Sequence, residues 1–141
     1  MKAERARLMR LQRLERVRAI AKQTAASEAA QAEGALAQLE ALAERTRRLA
    51  ADYAGRSEAQ DGAALRQLIG FAGSLQGISA STASDAVQAR QLADLKLATL
   101  AEAERRRAAV ETRAGQQALR MAKADAAPAT GSRRRFGTGL E

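Results

Sequence analysis

The chain has 141 residues with no cysteine, no histidine, 37 alanines, one proline and three aromatic side chains, and it carries a formal charge of +8. That composition excludes disulfides, thiolate or imidazole metal sites, and every catalytic dyad or triad that uses histidine as its base. It leaves too few large apolar side chains to fill a thick globular core, while the alanine content favours helix.

The first helix is predicted from about residue 3 to about residue 54. Apolar residues recur there in steps of three and four: Leu11, Leu14, Arg18, Ala21, Ala25, Glu28, Ala32, Ala35, Leu39, Leu42, Thr46, Leu49 and Tyr53. Only Arg18, Glu28 and Thr46 break the apolar rule. A sustained repeat of 3.5 residues is the signature of helices that wind around one another. Gly55 and the polar segment up to Gly62 form the best turn signal in the chain, about residues 55–62. Asp61 is suited to cap a second helix.

That second helix is predicted from about residue 63 to about residue 124. Its stripe begins Leu65, Leu68, Ala72, Leu75 and ends Val110, Ala114, Gln117, Met121. Ser79, Thr82, Lys96, Arg107 and Gln117 make it the weaker of the two. Just beyond the turn lie three glycines, Gly70, Gly73 and Gly77, each costing about 1 kcal/mol relative to alanine inside a helix. Around them, Leu68, Ile69, Phe71, Leu75 and Ile78 give more bulk than one seam can hide. Phe71, Leu75 and Ile78 have the spacing of anchors for a partner groove, and equally of core residues closing the hairpin. From residue 126 the pattern breaks, and 126–141 reads as a disordered basic tail.

A short connection between long helices makes them antiparallel neighbours. The fold class expected is all-α: a long antiparallel two-helix coiled-coil hairpin over residues 1–125 with a disordered C-terminal tail. Pairing of two such hairpins stays open. The N-terminal run lacks the apolar centre of a secretory signal and no stretch matches a membrane span, so the default is a soluble, cytoplasmic protein.

Charge is unevenly placed. Residues 1–22 hold eight basic and two acidic side chains, and Arg105, Arg106, Arg107, Arg113, Arg120 and Lys123 face only three glutamates across 101–123. A hairpin brings these stretches together as one basic end. A solvated surface, nucleic acid, anionic lipid and an acidic protein partner all compete to explain it. The basic stretch has no aromatic residues for base stacking, no glycine-rich loop and no zinc spacing, which argues against nucleic acid. Docking on an acidic protein, where charge serves steering and register, fits best. No phosphate-cradling loop and no enclosed carboxylate pair is present, so no enzyme, cofactor, metal or small-molecule substrate is expected.

The run Leu8-Met9-Arg10-Leu11-Gln12-Arg13-Leu14-Glu15-Arg16-Val17-Arg18, the alanine-rich helix through Leu49 and Tyr53, and the Gly/Asp turn succeed one another in order. Phe71-Ala72-Gly73-Ser74-Leu75-Gln76-Gly77-Ile78 and Ala101-Glu102-Ala103-Glu104-Arg105-Arg106-Arg107 lie beyond. Together these resemble the FliJ family of flagellar export proteins over about residues 1–124. The late aromatics common on the second helix of that family are missing here.

The resemblance implies a stalk component of the type III protein export apparatus, cytoplasmic and peripherally associated with the inner-membrane machinery. Its implied partners are the hexameric export ATPase, the export gate membrane protein and export chaperones. Arg5, Arg7, Arg10, Arg13, Arg16, Arg105, Arg106 and Arg107 would dock in the ATPase ring. Phe71, Leu75, Ile78 and Thr82 would meet the gate. The alternatives are a basic helical nucleic-acid-associated protein and a self-associating coiled-coil scaffold.

Overall fold

The computed structural model describes residues 1–56 and 61–127. They form two helices, α1 (Lys2–Ala54) and α2 (Gly62–Ala126), each end within two residues of its expected place. The helices pack antiparallel: Thr46 bonds Thr82, and Glu28, earlier in α1, pairs with Lys96, later in α2. Asp61 caps α2 as its sequence position suggests. Its Oδ1 accepts a hydrogen bond from the Ala64 backbone N–H at 2.7 Å, and its carbonyl takes the first helical bond, from Leu65 N–H at 3.0 Å, which satisfies two donors that a helix start leaves open. At the end of α1 the Gly55 N–H donates to Ala51 O at 3.0 Å, and the Arg56 N–H makes a tighter turn, bonding Tyr53 O at 3.3 Å. The expected turn residues 57–60, and the tail from residue 128 on, lie outside the described residues; residue 126, assigned to the tail from sequence, is still helical.

The helices divide into two compact units, 1–24 with 101–141 and 25–100. In the second unit the seam is built of small residues: Ala25, Ala29, Ala32 and Ala50 of α1 are buried, as are Leu75 and Ala93 of α2. Small side chains let helix backbones approach closely.

Here the structure corrects half of the first stripe. Leu11, Arg18, Ala25, Ala32, Leu39, Thr46 and Tyr53 do face α2. Their partners along the seam are Glu15, Lys22, Ala29, Leu36, Ala43 and Ala50, one residue later than Leu14, Ala21, Glu28, Ala35, Leu42 and Leu49. Leu14, Leu42 and Leu49 are left exposed. Size alone does not choose the alternate set: at Ala29, Ala43 and Ala50 the seam takes the smaller of two neighbouring side chains, and at Lys22 and Leu36 the larger. The second stripe holds from Leu68 to Met121, and only Leu65 gives way, to Ala64.

The seam of the second unit has one buried polar contact. Thr46 Oγ1 and Thr82 Oγ1 lie 3.0 Å apart, and each is also 3.0 Å from a carbonyl of its own helix, Ala43 O and Ser79 O. Two hydroxyl protons cannot make three bonds at once. One threonine therefore donates to the other, which donates to its own carbonyl.

Candidate functional site: partner-docking surfaces

The division into units is also a division of charge. Residues 1–24 and 101–141 hold 17 basic and seven acidic side chains, whereas residues 25–100 hold seven and nine. Ion pairs show the opposite distribution. The near-neutral unit has Arg47 and Arg48 on Glu44, Arg90 on Glu40 and Lys96 on Glu28. The basic unit has a single pair among the described residues, Arg106 on Glu102, one turn away on the same helix. Arg5, Arg7, Arg10, Arg13, Arg16, Arg105 and Arg106 are all exposed, and Arg107 is half-buried. Of these eight, seven make no ion pair among the described residues. The structure thus brings the sequence-predicted docking residues into one unit and leaves their charge unspent.

Two further cations on this unit belong to the seam; in sequence Arg18 shows only as a break in its stripe and Lys22 lies outside it. Arg18 and Lys22 occupy seam positions and are half-buried. The Nε atoms of Arg18 and Arg107 are buried without a hydrogen-bond partner among the described residues.

The second candidate surface is a flank of the 25–100 unit. Glu40 and Arg90 bridge the helices along one side of the seam. In the heptad repeat Leu42 and Leu49 fall on the other side of α1, and Phe71, Ile78 and Leu92 on the other side of α2. These five are all exposed, so this flank carries the largest share of the unit's outward bulky apolar side chains, with Glu28 and Asp85 at the same heptad positions. Tyr53 closes it with an edge-on contact to Phe71, ring centroids 4.7 Å apart at 77°, while the Arg56 guanidinium covers the Tyr53 ring at 4.3 Å.

The four predicted gate residues separate. Phe71 and Ile78 are turned outward, 49% and 51% exposed; Leu75 and Thr82 are seam residues at 8% and 9%. One pair points outward and the other belongs to the seam. Sequence reasoning misses Leu42 and Leu49 as surface residues because it gives them to the seam. The signal that finds them is the Ala29, Ala43, Ala50 set, which competes for the same place.

The Glu44 carboxylate is held well below its usual range. Hydrogen bonds from Arg47 and then Arg48 lower its pKa from 4.5 to about 2, and Arg47 is raised in return. Among the described residues no group of acidic side chains could hold a metal ion, and no helix is long and apolar enough to cross a membrane. Comparison with known protein families, characterised proteins and solved structures gives no match to this chain.

Proposed function

We propose that this protein is a non-enzymatic stalk component of a flagellar type III export apparatus. Its basic unit docks in the ring of the hexameric export ATPase, and its apolar flank meets the export gate, with escort of export chaperones as a further role. The observation that carries this reading is the charge separation between the units. A coiled coil that served only to hold itself together would pair its charges, as the 25–100 unit does. The unit built from both ends of the helices instead has a net ten positive charges and, among its described residues, one internal ion pair. Like charges so placed oppose packing, and an acidic partner relieves them.

Within this reading the gate-facing residues are Phe71 and Ile78 with Leu42, Leu49 and Leu92, rather than the buried Leu75 and Thr82. The experiment is ATP turnover by the export ATPase at low salt, with and without this protein. Stimulation that fades as salt is raised is expected; no stimulation and no binding would end the proposal.

The apolar flank also favours one alternative, association of two copies through that flank. Sedimentation of the pure protein separates the two, since the stalk reading expects a monomer. Nucleic acid is disfavoured by placement as well as composition. Tyr53 and Phe71, the aromatics among the described residues, both belong to the near-neutral unit.

A further inference from the structure

In the basic unit, the buried and half-buried positions step four, three, four, three on both helices. On α1 they run back from Lys22 through Arg18, Glu15 and Leu11 to Leu8. On α2 they run forward from Ala103 through Arg107, Val110 and Ala114 to Gln117. Carried along the two helices from the Glu28–Lys96 pair, the antiparallel register puts Arg18 and Arg107 at one level of the seam. Lys22 lies at the next level on one side and Glu15 on the other. Elsewhere the seam is mostly alanine and leucine, its two threonines bond each other from adjacent levels, and its cation Lys96 reaches Glu28. Here it holds two guanidinium groups of the same sign, each with a buried Nε–H that has no acceptor among the described residues.

The nearby acids do not serve them. Glu15 lies one turn from Arg18, and Glu104 and Glu111 one turn from Arg107, yet neither arginine makes an ion pair or hydrogen bond with any described residue. A buried donor without an acceptor is a standing cost. Two of them side by side, both charged, are worse placed than two alanines would be. The arrangement makes sense if the acceptor comes from outside. A carboxylate is the group whose two oxygens match the fork of a guanidinium, and it can bridge two of them.

We propose that the Arg18–Arg107 level is a receptor for one carboxylate of an acidic segment on the protein partner. Reorientation of the guanidinium groups brings their N–H forks onto its two oxygens. The exposed arginines around it steer that segment in; the seam pair fixes its place. This rests on the reading that the basic unit docks on an acidic protein, and it names the two residues that give that docking its specificity.

The test uses the full chain and a hexaglutamate peptide, with thermal unfolding followed by circular dichroism at constant low ionic strength. Wild type is expected to melt higher as peptide is added. The Arg18→Leu/Arg107→Leu variant is expected to melt higher than wild type without peptide and to lose the peptide-dependent shift. The Arg113→Gln/Arg120→Gln variant removes the same charge from exposed positions outside the docking set and keeps most of the shift. Arg18→Lys/Arg107→Lys keeps the charge without the fork and retains less than half of it. Equal losses in the Leu and Gln variants would mean diffuse charge attraction and would overturn the proposal, as would an undiminished shift in the Leu variant.

Against the export ATPase, the Leu variant should bind roughly 10-fold more weakly, about the effect of one charge-assisted contact. If the ATPase binds no version of the protein, the docking reading falls, while the peptide series still decides the carboxylate receptor.

Discussion

A Cβ added at Gly70, Gly73 or Gly77 would meet no heavy atom within 4 Å, and none of the three backbones adopts a positive φ that would strain it. All three sit inside the continuous helix α2. Replacing them with alanine therefore changes helix propensity and unfolded-state entropy and little else. Each substitution is expected to stabilise the hairpin by about 0.8–1 kcal/mol, and the triple variant by about 2.5–3 kcal/mol if the effects add. Urea unfolding followed by circular dichroism measures this. The midpoint should rise stepwise through the single, double and triple variants, with the slope unchanged because the same surface is exposed on unfolding. No gain, or a loss, would refute the reasoning. It would mean that the glycines serve a bend or a close approach that this conformation lacks. A triple variant that gains its full stability yet binds the export gate poorly would locate the need for glycine in the complex instead.

Thr46→Val and Thr82→Val should each cost about 0.5–1.5 kcal/mol, and the double variant less than the sum, because the two hydroxyls share a bond; strictly additive costs would contradict that geometry. Glu44 should titrate near pH 2 by carbonyl NMR, moving back toward 4.5 in Arg47→Ala/Arg48→Ala. Its folded pKa is depressed, so whatever stability its ion pairs contribute is present above about 4.5 and is lost as the pH falls through about 2; a wild-type midpoint at the ordinary carboxylate value would contradict the pairing. Ile78→Asp should keep the helix content and the stimulation of the ATPase while losing binding to the export gate. Retained gate binding would remove the apolar flank from the account.

The fold is legible in the sequence because length, alanine content and the two stripes all point to the same hairpin, and because Asp61 and Gly55 stand where capping chemistry needs them. What sequence misassigns is one half of the α1 seam. Leu14, Leu42 and Leu49 are the bulkier set, and bulk is the usual mark of a core. The interface instead takes their neighbours Glu15, Ala43 and Ala50, yet it takes Leu36 over Ala35, so size alone does not choose the set. That one-residue choice turns the leucines outward and hides the apolar flank from a reading by bulk. The basic end is legible from charge counts alone. The Arg18–Arg107 level is not: each arginine looks like a break in its own stripe, and only the antiparallel register puts them together.

The central claim is that the basic unit is the part that enters the export ATPase ring. Affinity of the hexameric ATPase for wild type, for Arg10→Glu/Arg13→Glu/Arg106→Glu and for Arg56→Glu, measured at one low salt concentration, tests it most directly. The account predicts at least a ~100-fold loss for the triple reversal, from about six units of charge at a steered interface, and little change for Arg56→Glu in the 25–100 unit. Equal, small effects of both variants would contradict it.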